Sequence, residues 1–447
     1  MRVVTTQQMR AADRRTIESG TPADVLMERA GTCVAEFIER EFAPLDKQRV
    51  VIFCGKGNNG GDGLAAGRLL RGRVAALQLV SLVDSAATEW NRDATIVIDA
   101  LFGTGFRGLV EGRAAELIQA INHDFPKAKI VAVDIPSAMQ VRADYTVALA
   151  APKVEMLLSP EARNIGKLIV ADIGIPEEFM PADHFLSEAS DFADLFRPRK
   201  CDAHKGDFGH VLVVGGAAGK TGAAAMAGLA AARIGAGWVT VACSDSTKLA
   251  PEVMWNPLDK IETDKKTVLA IGPGLGMQRD LAARLLADAH VPTVIDADGL
   301  NSIAGTPFQG RGVETVLTPH PGEMARLTGA KVDDRLGIVR TFSRERNVCL
   351  VLKGYRTLIA FPDGRVWINP TGSPAMAKAG SGDILTGMIA GLIAQHPQDI
   401  DLAVRSAVWL HGRAGEMAAK VFTDRCVLAT DLLTYVPLAI REIRSDA

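Results

Sequence analysis

Two short stretches concentrate residue types that do chemistry. Cys54–Leu70 reads CGKGNNGGDGLAAGRLL, and Ala379–Ala390 reads AGSGDILTGMIA. Each sets a glycine-rich turn directly before an apolar helical pattern. Glycines that reach positive φ let a backbone close on an anionic ligand, and consecutive N–H groups at a helix N-terminus then supply the anion site. In the second stretch Gly380 and Gly382 would turn N–H groups toward phosphate oxygens, with Asp383 placed to act on a hydroxyl beside a transferred phosphoryl group. The plainer reading makes each stretch a turn with capping Asn and Asp residues. More polar strand ends weigh against it in the first case: Asp99 in DALFGTGFRG, and Asp134 with Ser137 in DIPS. The first stretch is neither a GxxxxGK[ST] phosphate loop nor a GxGxxG fingerprint.

The elements that must position these residues follow from the apolar pattern. TTQQMRAADRRTIESG has helical periodicity and ADVLMERAGTCVAEFIER continues it. RVVIFC, ATIVIDALFG, AKIVAVDIP, DYTVALA and GKLIVADIG are apolar runs without clean alternation, as buried parallel strands require. Asp99 and Asp134 stand at the C-terminal ends of such runs, where open parallel sheets bind ligands. Charge, proline and glycine interrupt the pattern in ASDFADLFRPRKCDAHKGDFGH, which predicts domains over residues 1–197 and 198–447. The alternation then restarts with VLVVGG, an Ala-rich helix, WVTVAC, TVLAIGPGLG, PTVIDADGLN, ETVLTPHPGE, VCLVLKG, TLIAF and RVWINP, and a helix-rich end follows. The expectation is two fused α/β domains.

Length and composition agree. A chain of 447 residues exceeds one compact domain, and 48% hydrophobic with 23% charged residues suits a globular protein. The formal net charge of −2 makes no electrostatic case for nucleic acid or an anionic membrane, so the expected partners are small molecules. Six cysteines form no CxxC pair, and several sit in apolar runs, which predicts reduced core thiols rather than disulfides or zinc. The N-terminus lacks an apolar signal core and no apolar run is long enough to span a bilayer, so a cytoplasmic location is expected.

With GNNGGDG, DALFGTG and DIPS in this order, the first half resembles the NAD(P)H-hydrate epimerase family from Met1 to about Pro176. The resemblance implies interconversion of the R and S forms of hydrated NADH or NADPH (NADHX and NADPHX), which carry water across C5–C6 of the nicotinamide ring. It implies that Asn58, Asn59, Gly60, Gly61 and Asp62 hold the substrate, together with Gly103, Thr104, Gly105, Phe106, Arg107, Gly108 and Leu109. Asp134 would sit near the reacting ring as the proton carrier. Asn59, Asp99 and Ser137 would ligate a structural K+, a cation that takes carbonyl, carboxylate and hydroxyl oxygens. Two departures stand out. DIPSAM puts Ala138 where the family has glycine, a cost of about 1 kcal/mol or more if φ is positive there. The stretch between Arg71 and Asp99 is also shorter than the family pattern.

The second half is similar to the ribokinase-like NAD(P)H-hydrate dehydratase family, through KTGAAAMAGLAAARIGAGWVTVA, AIGPGLG, IDADGLN, LTPHPGEMARL, VLKGYRT and GSGD. That family spends a nucleotide to phosphorylate the C6 hydroxyl of the S hydrate, and phosphate then leaves. The resemblance implies that Lys353, Gly354, Tyr355, Arg356, Thr357 and Gly382 contact an adenine nucleotide, ADP or ATP, with Mg2+. Ala223, Gly276, His320 and Asp383 would line the hydrate pocket, with Asp383 as base. Glu323 and Asn301 are candidate supports, and Lys378 either neutralises phosphate or is merely solvated.

Together the resemblances imply an N-terminal Rossmann-like three-layer α/β/α sandwich and a C-terminal ribokinase-like α/β domain. Fusing an epimerase to a dehydratase lets both hydrate forms be repaired. A small-molecule kinase, or a dehydratase whose first domain only binds or assembles, are the alternative readings. Apolar C-terminal helices suggest a homo-oligomer, and core packing explains them equally well.

Overall fold

The computed structural model describes residues 1–83, 89–276 and 278–445. The chain divides into two compact units, Met1–His184 and Phe185–Ala447.

In the first unit α1 (Thr6–Glu18) starts at a capping box, in which Thr5 and Gln8 exchange side-chain-to-backbone bonds of 3.1 and 2.7 Å. The periodic stretch predicted as one run breaks at Gly20, with φ 110°, and Pro22 caps α2 (Ala23–Phe42). Leu26, Ala30, Val34, Phe37 and Ile38 form the buried stripe of α2. Then follow β1 (Arg49–Cys54), α3 (Asn58–Leu70), β2 (Ala76–Ser81), β3 (Ile96–Ala100), α4 (Gly112–His123), β4 (Lys129–Val133), β5 (Tyr145–Leu149) and β6 (Lys167–Ala171). The sheet runs β2-β1-β3-β4-β5-β6 and every pairing is parallel. The chain leaves β1 for one neighbour and returns on its other side, so the switch point falls between β1 and β3. At their C-terminal ends lie the Gly-rich turn and Asp99. Part of the abbreviated stretch after Arg71 lies outside the described residues.

The second unit repeats the logic with β7 (His210–Val214), α5 (Thr221–Ile234), β8 (Trp238–Ala242), β9 (Met254–Asn256), β10 (Val268–Ile271), β11 (Thr293–Ile295), α6 (Ala297–Ile303), β12 (Gly312–Leu317), α7 (Pro321–Thr328), β13 (Val348–Leu352), β14 (Leu358–Ala360) and β15 (Val366–Ile368). Helices α8 (Ser381–Gln395), α9 (Ile400–Cys426) and α10 (Leu432–Ser445) close the unit. The short strand His184–Leu186 neighbours β15 and leads into a sheet that runs β15-β14-β13-β12-β11-β10-β7-β8-β9, parallel from β13 to β9. The β13-β14-β15 end is antiparallel. Helix α8 is apolar all round because it is buried all round. Its Gly387 sits against α5, where an added Cβ would stand 2.0 Å from the Ala227 carbonyl oxygen. That close approach explains the Ala-rich run in α5.

The expected boundary at 197/198 is displaced thirteen residues from the observed one, for a physical reason. Phe185 stacks on Trp367 at 4.7 Å, and the Ser187 N–H donates to the Ile368 carbonyl at 3.1 Å. Asp191 pairs with the buried Arg405 at 2.8 Å. The segment 185–197 is thereby part of the second unit's core. None of the cysteines forms a disulfide; Cys54, Cys243 and Cys349 are buried, whereas Cys201 and Cys426 are exposed.

Candidate functional site

The first unit holds a cavity of about 560 Å³ above the switch point. Asn58, Asn59, Asp62, Gly103, Thr104, Gly105, Phe106 and Asp134 all line it. Helix α3 starts at Asn58 without a side-chain cap, so its first N–H groups have no intrahelical acceptor. The glycines of this turn work differently from the expectation. None from Gly55 to Gly63 has positive φ. A Cβ at Gly60 would stand 2.0 Å from the Gly55 carbonyl oxygen, and one at Gly63 would stand 2.6 Å from Ala100 Cβ. They let the helix pack onto the turn and β3, and Gly60 and Gly61 lie behind the cavity wall. Arg107, Gly108 and Leu109 also lie outside the lining, and Leu109 is 84% exposed. Phe102 and Phe106 lie ring on ring at 4.4 Å and give the cavity an aromatic wall. Arg10 of α1 ties the adjacent loop by donating to the Thr104 carbonyl at 2.9 Å.

The sequence reading missed two groups in this cavity. Lys153 is fully buried, and its ammonium pairs with Asp134 and donates to the Leu149 carbonyl at 3.0 Å. Asp13 projects from α1. A Lys just after a strand end in a parallel sheet was the available signal for the first; Asp13 looks like any polar residue of an amphipathic helix. Burial, then the charges of Asp134 and Asp13, push Asp62 up to about 8 against the pull of Lys153. Burial likewise raises Asp13 to about 6. One cavity thus presents an ion-paired carboxylate and a carboxyl that keeps its proton at neutral pH.

Beside this cavity lies a set of oxygens suited to a hard cation. Asn59 is 7% exposed, and neither its Oδ1 nor its Nδ2 has a partner. Asp99 is fully buried and accepts from Ser137 Oγ at 2.5 Å and from the Ser137 N–H at 2.8 Å. Burial raises Asp99 to about 6 in spite of those bonds, and an adjacent cation would hold it ionised. The turn carries strain: Asp134 has φ 65°, Ala138 φ 53° and Met139 φ 57°. Ala138 therefore does occupy the left-handed angle that a glycine would take freely.

In the second unit Gly380, with φ 94°, caps α8, so Ser381, Gly382 and Asp383 form its first turn. Lys353, at the end of β13, faces that turn across 3.3 Å from the position of a Gly382 Cβ. Its ammonium pairs with Asp296 at 2.6 Å and approaches Glu323 at 3.7 Å. Burial pulls the Lys353 proton affinity down, but Asp296 and Glu323 outweigh it and the net shift is upward. Asp296 also accepts from Thr386 Oγ1 at 2.7 Å. Burial, then Asp296, raise Asp383 to about 6 against Lys353.

After Lys353 the chain turns through Gly354, φ 146°, and Arg356, φ 53°. Arg335 holds this loop by donating to the carbonyls of Tyr355 and Arg356 at 2.9 and 3.1 Å, a role no local pattern announced. Tyr355 is exposed, and Thr357 Oγ1 donates to the Gly354 carbonyl at 3.0 Å. His320 is the N-cap of α7: its Nδ1 accepts from the N–H of Gly322 at 3.0 Å, and its Nε2 lies 3.5 Å from the Glu323 carboxylate. Glu323 completes that capping box and is buried. Gly276, φ 70°, donates to Asp298 at 2.7 Å and lines a 190 Å³ cavity with Asp298, Asn301 and Arg326. Ala223, in the first turn of α5, packs by Gly274, where an added Cβ would stand 3.1 Å away. Lys378 donates to the Arg425 carbonyl at 2.6 Å, at the end of α9.

Residues 211–438 match the family described as NAD(P)H-hydrate dehydratase, and residues 23–86 and 77–155 match YjeF-related protein N-terminus. The chain is 38% identical to the bifunctional NAD(P)H-hydrate repair enzyme of Moorella thermoacetica over 521 residues, which cover 100% of this chain and 98% of the relative. It is 34% identical to that of Coxiella burnetii, with 97% and 98% covered. The first alignment is longer than 447 residues, so that relative carries segments this chain lacks. Among solved structures, the ADP/ATP-dependent NAD(P)H-hydrate dehydratase of Bacillus subtilis, co-crystallised with ATP and Mg2+, matches with a TM-score of 0.54 at 32% identity. It covers 58% of this chain and 98% of that one.

Proposed function

The chain belongs to the bifunctional NAD(P)H-hydrate repair enzymes, and from that premise we propose how its two sites divide the reaction. The first unit interconverts the R and S hydrates of NADH and NADPH, and the second dehydrates the S form at the expense of a nucleotide.

In the first site the hydrate lies in the 560 Å³ cavity, its ring against Phe102 and Phe106 and its phosphates toward the free N–H groups of α3. Epimerisation opens C6 through an iminium or ring-open form. Asp134, paired with and aimed by Lys153, carries the proton. Asn59, Asp99 and Ser137 hold K+, which would neutralise the buried Asp99 charge and fix the loop beside the ring. The unpartnered Asn59 amide supports this. Strain at Ala138 falls in the turn past Ser137, outside the cavity lining, so the reading keeps this unit catalytic.

In the second site the nucleotide lies along Lys353–Thr357 with its terminal phosphate at Gly382, in the field of the α8 N-terminus. The Asp383 carboxylate takes the C6 hydroxyl proton, and the oxygen attacks the terminal phosphorus while the shortened nucleotide leaves. Loss of phosphate from C6 and of a proton from C5 then restores the double bond. His320 Nε2 and Gly276 contact the hydrate. Among the described residues no group of three His, Cys, Asp or Glu side chains gathers around a metal position. This fits Mg2+ that arrives on the nucleotide, where it would neutralise phosphate charge.

The observation that carries the reading is Asp383 in the first turn of α8, facing the Lys353–Asp296–Glu323 cluster. The test follows reduced-nicotinamide absorbance when the protein meets an R/S hydrate mixture with K+, Mg2+ and ADP or ATP. Recovery to completion supports both activities and names the donor; recovery that stalls with the R form unspent removes the epimerase. A stable phosphorylated product in place of recovery would favour the kinase alternative.

The same reading places the enzyme in the cytoplasm as a homo-oligomer. Trp255 and Met254, each 43% exposed on the edge strand β9, offer a surface for self-association. Light scattering of the purified chain tests this. Among the described residues no helix is long and apolar enough to cross a membrane.

A further inference from the structure

Two loops of the second unit must keep a fixed register if Asp383 is to act on a hydroxyl beside a bound nucleotide. One is Lys353–Thr357 and the other is Gly380–Asp383. Both are hydrogen-bonded, directly or through one intermediary, to a single stretch of α9.

The nucleotide loop reaches α9 through residues 369–372. The Asn369 N–H donates to the Thr357 carbonyl at 2.9 Å, and Arg356 donates to the Pro370 carbonyl at 3.0 Å. Thr371 Oγ1 then donates to the Trp409 carbonyl at 2.8 Å, and the Gly372 N–H donates to Glu416 at 2.9 Å. Gly412 makes the seat possible, because a Cβ there would stand 2.3 Å from Thr371 Oγ1.

The other loop reaches the same stretch through His411. This side chain is buried, and its Nε2 lies 2.9 Å from the Ser381 carbonyl oxygen and 3.3 Å from Ser381 Oγ. A carbonyl can only accept, so Nε2 carries the proton and His411 is the Nε2–H tautomer. Burial, opposed by the Ser381 bond and aided by Lys353, lowers its proton affinity to about 4, so it is neutral at neutral pH. The Ser381 carbonyl belongs to the first residue of α8, two positions before Asp383.

We propose that His411 is a positioning residue for the dehydration: its Nε2–H pins the first turn of α8 to the part of α9 that also seats the nucleotide loop. It touches neither nucleotide nor hydrate; it acts through Ser381 on where Asp383 stands. The inference rests on the dehydratase reading above for its catalytic consequence, but not for the structural link itself.

The test compares His411→Leu and His411→Gln in the full chain. Leucine removes the donor, whereas the glutamine amide can present an N–H near the Nε2 position. The expected result for H411L is a fall in kcat of about ten- to a hundredfold, as misplacement of a catalytic group by a fraction of an ångström to one ångström produces. Its nucleotide KM should be essentially unchanged, and H411Q should recover most of the loss. The acid limb of the H411Q pH profile should coincide with that of the wild type, because His411 does not titrate there. Backbone exchange at Ser381–Asp383 should quicken in H411L and return toward wild type in H411Q. Wild-type kcat in H411L, equal losses in the two variants, or unchanged exchange at Ser381–Asp383 would each overturn the proposal. A wild-type chain without nucleotide-dependent recovery would defeat the dehydratase reading instead, and the exchange comparison would still decide whether His411 holds the turn.

Discussion

The ammonium of Lys153, fully buried, closes an ion pair with Asp134, whose own backbone is held at φ 65°. A strained backbone and a buried charge are both costs, and the pair persists because each fixes the other. Lys153→Met removes one partner and leaves a carboxylate without compensation. The first unit should lose roughly 3–5 kcal/mol, and R-hydrate consumption should all but stop. Dehydration of the pure S form should continue, since Asp383 lies in the other unit. Wild-type consumption of an R/S mixture by K153M would refute the assignment.

Asp62 makes the first unit sensitive to pH. Its folded carboxyl titrates near 8, and an unfolded one near 4. Between those values the folded chain binds the extra proton, so stability falls as pH rises from about 4 to 8 and is greatest below that window. Asp62→Asn removes the proton exchange. Calorimetry should show the first unit of D62N losing less stability than the wild type as pH rises across the window, the remaining slope belonging to Asp13 and Asp99, which titrate near 6, and unfolding above the wild type at pH 8. A wild-type unfolding temperature that climbs between pH 5 and 8 for this unit would contradict the assignment.

Asp383 predicts the opposite limb for the second activity. As a base it must be ionised, and its carboxyl titrates near 6. Dehydration should therefore weaken as pH falls through 6 and level off above it. Asp383→Asn should lower kcat about 10²- to 10⁴-fold, the usual worth of a positioned base, with little change in nucleotide affinity by calorimetric titration. A D383N variant that keeps its turnover would remove Asp383 from the chemistry.

Much of this was legible in the residues, and the rest was hidden for identifiable reasons. The strand ends carrying Asp99 and Asp134, and the turn before Asp383, announce themselves because β-branched runs and glycine-rich turns are local signals. Lys153, Asp13, Arg335 and His411 do not, because each arrives at its site through packing between elements remote in sequence. The GNNGGDG glycines show a subtler failure. They stand in a turn that borders a cavity, but their cause is close packing of α3 rather than left-handed backbone. His320 was read as a substrate contact, and the structure adds a second duty, capping α7, which by itself explains a histidine at that position. The displaced domain boundary has the same origin as the hidden side chains: composition marks the charged segment around Arg197–Lys200, whereas tertiary contacts decide where the second core begins.

Ala138 stands at φ 53° in a turn where glycine would be free of strain. Left-handed backbone costs a non-glycine residue roughly 1–2 kcal/mol, offset by the smaller entropy that alanine loses on folding. Ala138→Gly should stabilise the first unit by about 0.5–1 kcal/mol, read as a higher unfolding temperature. If Asn59, Asp99 and Ser137 form the proposed K+ site, the variant should also bind K+ at least as tightly as the wild type, because Ala138 follows Ser137 directly. A lower unfolding temperature would mean that alanine is favoured there by contacts.

Arg405 shows what the segment 185–197 contributes. The guanidinium lies 3.2 Å from the Trp367 ring centroid, is nearly buried, and finds its carboxylate in Asp191. Burial lowers its proton affinity, and Asp191 opposes that. Asp191→Ala in the full chain should therefore cost the second unit more than a surface pair would, roughly 3 kcal/mol against the 0–1 kcal/mol of an exposed bridge. Adding Arg405→Met should return part of that loss, because the unpaired charge goes with its partner. Thermal unfolding of the dehydratase transition in D191A and in the double variant measures both. If D191A unfolds like the wild type, segment 185–197 is a linker after all, and the boundary belongs nearer to 198.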